Sequence, residues 1–325
     1  MSVISGRRFL VTGGAGFVGS ALTKALAAAG AYVRVLDNES RGSARRLAGT
    51  VVDMVTGDIR DPQTVRDAVR GVDAVCHLAY INGTEFFYEK PELVLDVAVR
   101  GMLNVLDACI HEGVRELALA SSSEVYQTPD RIPTDESVSL VVPDPLNPRF
   151  SYGGGKIICE LMAINYGRRH FDRVTIFRPH NVYGPDMGDE HVIPQLARRI
   201  RELMSDGSDV IHLPVQGTGA ETRSFVYIDD FISGALTVLG KGEHLGIYHI
   251  GTEDEITIAG LAQKIGRILG REVVIVRGDL KTGSTLRRCP SIAKMRALGY
   301  DPKTSIEEGL ARTLPWYMSG PSEES

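Results

Sequence analysis

The chain has 325 residues, 43% apolar and 24% charged, with 36 lysines and arginines against 41 acidic residues and a net charge of −5. Ordinary apolar content excludes a disordered chain, and the acidic balance argues against a nucleic-acid surface. The longest apolar runs, such as Ala25–Ala29, are too short to span a bilayer, so no membrane partner is expected.

At roughly 150 residues per domain, the length suits two domains or one large α/β unit. Phe9–Thr12 reads as a buried strand that runs into Gly13-Gly14-Ala15-Gly16-Phe17-Val18-Gly19. An alanine-rich helix is expected over Phe17–Ala29, then a strand over Tyr32–Leu36 ending at Asp37. The alternation goes on with a strand at Val51–Val55, a helix at Thr64–Arg70 after Asp61-Pro62, and a strand at Asp73–Leu78. A long helix over Leu93–Glu112, a strand at Arg115–Ala120, a helix over Tyr152–Phe171 and a strand at Val174–Phe177 follow. This order predicts an α/β fold with a doubly wound parallel sheet of Rossmann type. After Pro179 the pattern becomes mixed. Helices are expected near Val192–Met204, Asp230–Leu239 and Thr257–Leu269, with short strands near Val210–Leu213 and Phe225–Tyr227. We read residues 1–179 as the cofactor domain, and 180–325 as a smaller substrate lobe with some segments returning to the first.

The N-terminus turns polar and glycine-rich soon after Arg7 and Arg8 and lacks the pattern of a secretory signal, so a cytoplasmic enzyme is the expectation. Cys76, Cys109, Cys159 and Cys289 lie far apart, and no histidine pair has metal-ligand spacing, so neither zinc nor a disulfide framework is expected.

The glycine cluster follows a strand and opens a helix, the context in which G-x-G-x-x-G holds a dinucleotide. Gly13, Gly16 and Gly19 let the backbone approach a pyrophosphate, and the helix N-terminus offers free N–H groups with partial positive charge. Asp37, ending the second strand, suits the ribose hydroxyls and repels a 2′-phosphate, which favours NAD over NADP. Arg41 is the counter-signal. Asp58 could accept from the adenine amino group, while Asp61 could cap the helix opening at Pro62.

Tyr152 and Lys156 are spaced to share a helix face. Ser121-Ser122-Ser123 end the strand about 30 residues earlier, at the sheet edge where ligands gather. Such a tyrosine can take a proton from a sugar hydroxyl if a neighbouring cation lowers its pKa, and Ser122 can hydrogen-bond the same hydroxyl. The serines could instead simply cap a turn.

Together these features resemble the extended short-chain dehydrogenase/reductase superfamily, and within it the nucleotide-sugar epimerases and dehydratases. The resemblance runs from the loop Thr12–Gly19 through His77-Leu78-Ala79 and Arg178-Pro179-His180-Asn181-Val182-Tyr183-Gly184-Pro185 to Glu221–Asp230. It implies NAD contacts at Gly13, Gly16, Phe17, Val18, Gly19, Asp37, Asn38, Asp58, Ile59, Leu78, Ala79, Tyr152, Lys156 and Pro179. It implies catalysis by Tyr152, Lys156, Ser122 and Glu124, and contact of a nucleotide-diphosphate sugar with Ser123, Asn181, Val192 and Arg223. Arg223 could alternatively form a surface ion pair with Glu221 or Asp229. His180 and His191 read as polar wall residues. A homodimer packed through the helices 93–112 and 152–171 is also implied.

The chain departs from the resemblance at several positions. Glu124 stands where many 4-epimerases have a small or polar residue; it can be a base for a C5 proton or a ligand of a sugar hydroxyl. Gly155 replaces the usual serine before the lysine, Ala98 a common asparagine, and Gln127 a usual glycine. Gly153-Gly154-Gly155 early in a helix costs roughly 2–3 kcal/mol against alanine, so these glycines are expected to open space beside the nicotinamide or permit close packing. The loop Thr84–Lys90 could cover the substrate or lie in a dimer interface. The reading from sequence is an NAD-dependent nucleotide-sugar 4-epimerase. A 4,6-dehydratase or decarboxylase using Glu124 is the alternative, and a non-catalytic NAD-binding scaffold a distant one.

Overall fold

The structure is a computed structural model and describes residues 3–204, 209–279 and 285–319. Its first half runs β1 (Arg8–Thr12), α1 (Phe17–Ala28), β2 (Tyr32–Asp37), β3 (Asp53–Thr56), α2 (Pro62–Val69), β4 (Ala74–His77), α3 (Thr84–Glu89), α4 (Pro91–Glu112), β5 (Glu116–Ala120), α5 (Ser151–His170) and β6 (Arg173–Pro179). The second half adds β7 (Val182–Tyr183), α6 (Val192–Met204), β8 (Val210–Val215), β9 (Thr222–Ser224), β10 (Val226–Tyr227), α7 (Ile228–Lys241) and β11 (Gly246–Ile250). It ends with β12 (Glu255–Thr257), α8 (Ile258–Ile268), β13 (Glu272–Arg277), β14 (Arg287–Arg288), α9 (Ala293–Ala297) and α10 (Ile306–Met318).

Seven parallel strands form the main sheet, in the order β11-β6-β5-β4-β1-β2-β3. Alternating side chains feed two cores: Phe9 and Val11 of β1 join the core on the α1 and α7 face, while Leu10 joins the core under α2, α4 and α5. The order reverses between β1 and β4, where Thr12 pairs with His77. A crevice opens there beyond the strand ends.

Segments after Pro179 return to the main sheet. β11 is the seventh strand of the main sheet, and α7 packs on β6. Ile193, Leu213, Leu261 and Leu310 of the later lobe share one core with Phe9 and Leu22. Two local expectations also change. Of the segment Phe225–Tyr227 only Val226–Tyr227 is a strand, β10, with Phe225 between it and β9, and the loop Thr84–Lys90 is mostly the helix α3. As the sequence suggested, Asp61 caps α2, accepting from Gln63 N, with Pro62 in the first turn. No described helix is long and apolar enough to cross a membrane.

Candidate active site

One cavity of about 590 Å³ runs along the crevice. Every residue assigned to a site from sequence lines it, from Gly13 and Asp37 at one end to Arg223 at the other.

The glycine loop is built for close approach. Gly13 has φ +72°, and a Cβ there would sit 2.7 Å from the Ala79 backbone. Gly19 packs so tightly under Gly13 that a Cβ would overlap the Gly13 carbonyl. Gly16 caps α1, which has no side-chain cap and no acidic residue in its first turn. Its N-terminal N–H groups and partial positive charge are therefore free for an anion, and this cradle fits the pyrophosphate of a dinucleotide. Asp37 is buried and accepts from Ala15 N (2.9 Å) and Glu39 N (2.8 Å), which fixes the carboxylate at the end of β2.

The other cofactor-end residues are held by neighbours. Thr12 Oγ1 lies 2.7 Å from His77 Nδ1 and accepts from the N–H groups of Leu78 and Ala79, which orients that turn. Asn38 Nδ2 donates to Asp58 (3.0 Å), and Ile59 packs against Gly101, where a Cβ would collide with it. The Arg60 hydrogen bonds hold Asp58 down to about 2, against the smaller opposing effect of burial. Arg41 is engaged elsewhere: it pairs with Glu190 at 3.0 Å and covers the Phe86 ring.

At the centre, α5 carries Tyr152 and Lys156, both buried. Ser122 hydrogen-bonds the Tyr152 side chain and accepts from Glu124 N (3.1 Å). Burial pushes Tyr152 up to about 12, and the Ser122 hydrogen bond acts the other way. Burial brings Lys156 down to about 8. Lys156 Nζ donates to the Ala120 carbonyl (2.7 Å) and lies over the Tyr80 ring, 3.9 Å from its centroid. Phe87 of α3 stacks on Tyr152 at 4.8 Å and lines the cavity beside it.

The other end of the cavity is a charge cluster. Arg288 Nη1 pairs with Glu124 Oε1 at 2.5 Å. Burial works to raise the Glu124 pKa, but the charge and hydrogen bond of Arg288, with Arg149 and Arg223, outweigh it and hold the carboxyl below its usual value. Arg223 does not pair with Glu221 or Asp229; it donates to the carbonyls of Thr222 and Thr285 (2.7 Å each). Glu221 instead accepts from Thr218 N and Gly219 N, while Asp229 pairs with Arg312. Burial and the neighbouring Arg288 bring Arg223 down to about 10. Asn181 (φ +44°) donates to Ser224 O at 2.8 Å, and Ser123, Pro179 and Val192 complete the wall. Arg149 Nε and Arg288 Nε are buried with no hydrogen-bond partner among the described residues. Unmet buried donors beside a cavity suit an anionic ligand.

Sequence reasoning missed Arg149, Arg288 and Tyr80. Arg149 lies just before Tyr152, and Arg288 follows Arg287 in a segment without a motif of its own. The histidines differ: His191 lines the cavity, whereas His180 is buried against His249 at 4.7 Å. The glycines of α5 serve close approach. A Cβ on Gly153 would lie 2.5 Å from Gln127 Nε2, and one on Gly155 would strike the Tyr80 hydroxyl. The space beside Gly155 is thus filled by Tyr80. Gln127 has φ +53°, a backbone position that favours the glycine it replaces.

Comparison with known proteins agrees with this geometry. The model of the NAD dependent epimerase/dehydratase family matches residues 9–251. UDP-glucuronic acid decarboxylase 6 of Arabidopsis thaliana is 32% identical over 94% of this chain and 87% of its own length. The dTDP-glucose 4,6-dehydratase of Streptomyces venezuelae, solved with NAD bound, superposes with a TM-score of 0.84 at 33% identity, covering 96% of this chain and 97% of that one. The UDP-glucose 4-epimerase of Thermus thermophilus, in complex with NAD, gives 0.84 at 28% identity, covering 97% and 100%. The cofactor is NAD, for which the glycine cradle and Asp37 are shaped. With a Rossmann-type sheet, that cradle and a match across most of its length, the chain belongs to the NAD dependent epimerase/dehydratase family.

Proposed function

We propose that the protein decarboxylates a nucleotide-diphosphate hexuronate through transient oxidation at C4. The observation that carries this reading is Glu124, locked to Arg288 in a cleft that Arg149 and Arg223 also line. The sugar end thus has two positive charges in excess. A nucleotide diphosphate answers to Arg223 and Asn181, and a uronate carboxylate to the cation that remains. Glu124 is also a weak base, because its arginines stabilise the ionised form. A dehydratase needs a base for the C5 proton, and here Ser123 stands beside Glu124 where that chemistry would use a second acid. Decarboxylation needs no such base, since the C5–C6 bond itself supplies the electrons.

NAD, held by the glycine cradle and Asp37, would supply a reversible hydride acceptor for C4 and a positive charge that favours the Tyr152 phenolate. Tyr152 Oη takes the C4 hydroxyl proton, with Ser122 holding the oxygen and the Lys156 ammonium favouring the phenolate. The C4 ketone makes the C6 carboxylate a β-keto acid. The C5–C6 bond breaks, carbon dioxide leaves, and the electron pair moves onto the C4 oxygen. The hydroxyls of Tyr152 and Ser122 stabilise this enolate. C5 then takes a solvent proton, and Tyr152 returns its proton to the C4 oxygen. Phe87, stacked on Tyr152, holds the phenol ring in place.

We further propose a homodimer through α4 and α5, where Leu95, Ile110, Ile158 and Leu161 are exposed on the outer faces. Sedimentation velocity of the native chain against Leu161→Glu tests it; a monomer in both cases refutes it. The activity is tested by offering nucleotide-diphosphate hexuronates and neutral hexoses to the enzyme and weighing the products. The expected result is loss of carbon dioxide from a uronate. Turnover of neutral hexoses alone, to isomers of unchanged mass, would restore the 4-epimerase reading.

A further inference from the structure

The motif Tyr152-Gly153-Gly154-Gly155-Lys156, together with Ala98, leaves a gap beside the lysine, and one side chain fills it. Tyr80, from the turn after β4, lies with its hydroxyl against Gly155. A Cβ on Gly155 would also come within 3.1 Å of Ala98 Cβ. The Tyr80 hydroxyl donates to the Tyr152 carbonyl at 3.3 Å, and its ring meets Tyr152 edge-on, with centroids 5.1 Å apart. Lys156 Nζ sits 3.9 Å above the Tyr80 ring centroid but 6.0 Å from that of Tyr152.

We propose that Tyr80 is the positioning residue for Lys156: its ring face holds the ammonium charged and in place, in a gap that Gly155 and Ala98 leave for it. The proposal rests on Tyr152 and Lys156 carrying the oxidation, and not on which sugar is oxidised. It accounts for two departures from the family pattern at once. A serine before the lysine would strike the Tyr80 hydroxyl and push the ring aside, and a side chain longer than alanine at position 98 would crowd the same space.

The surroundings make the ring matter. His77 on β4, Tyr80, the Ala120 carbonyl on β5, and Tyr152, Cys159 and Glu160 on α5 face the ammonium. Burial holds His77 neutral, down to about 3, with the Lys156 charge adding to that. Glu160 is the one carboxylate among these groups, and both its oxygens are taken by Arg178. Burial favours the neutral amine of Lys156. A ring face in a desolvated site opposes that loss of charge.

The test is the titration of Lys156 in the NAD-loaded enzyme, followed by NMR of 13Cε-labelled lysine and assigned by loss of the signal in Lys156→Met. In Tyr80→Leu the midpoint falls by about one unit, a shift of the size a desolvated cation–π contact gives. The alkaline limb of kcat moves down with it. Tyr80→Phe keeps the ring and leaves the midpoint in place. Gly155→Ser displaces the ring from the helix side and reproduces the Leu shift, which covers the case of a poorly folded Tyr80→Leu. An unmoved midpoint in both Tyr80→Leu and Gly155→Ser overturns the proposal, as does an equal shift in Tyr80→Phe. If the midpoint moves as stated but no uronate is decarboxylated, only the proposed reaction falls.

Discussion

On the proposed reading, the two ends of the cleft recognise their ligands by different means. At the cofactor end the backbone does it: Gly13 and Gly19 leave no room for a Cβ, α1 presents uncapped N–H groups, and Asp37 is fixed by two backbone donors. At the sugar end side chains do it, with Glu124, Arg149, Arg223 and Arg288 brought together from four separate segments. Shape selects at one end and charge at the other. A substitution should therefore damage one kind of binding and spare the other.

The largest effect belongs to the residue where the ends meet. Tyr152→Phe should lower kcat about 10³-fold, the loss expected for a general base. Retention of NAD and the Kd of the nucleotide sugar should change little, as read by cofactor absorbance and calorimetry.

Arg288→Met should cut kcat/KM for the uronate about 100-fold, because it leaves the half-buried Glu124 carboxylate without its partner. NAD retention should stay as in the native enzyme. Equal loss of both would mean that the two ends are not separable. Gly13→Ala is the converse. Its φ of +72° and the Ala79 backbone 2.7 Å from the new Cβ should weaken NAD retention about tenfold. Binding of the nucleotide sugar should be spared.

The smallest effect is on stability. The hydrogen bonds from Arg60 depress Asp58 to about 2, so its stabilising contribution is present above about pH 4 and is lost as the pH falls through 2. Asp58→Asn should lower Tm by about one or two degrees at neutral pH. The gap should close toward pH 2, as followed by circular dichroism.

The same contrast explains what could be read in advance. The cofactor end is encoded in contiguous stretches: Phe9–Gly19 states a strand, a tight turn and a helix start within one segment, and Asp37 follows at the next strand end. Tyr152 and Lys156 were legible because helix periodicity puts them on one face. Arg149, Arg288 and Tyr80 were not, because nothing local distinguishes them from solvated or core side chains. Arg288 reaches Glu124 only after β14 pairs beside β9. Likewise β11 was missed because it is five residues long, opens with Gly246 and joins the sheet only through β6. The glycines of α5 were noticed as costly in a helix, yet their reason lay in residues 80 and 127, far away in the chain.

The most direct test uses a nucleotide-diphosphate hexuronate labelled with 13C at C6, incubated with the NAD-loaded enzyme in deuterated water. The account predicts release of labelled carbon dioxide, one solvent deuterium at C5 of the product, and no accumulation of reduced cofactor. A product that keeps the labelled carbon, with or without inversion at C4, would contradict it.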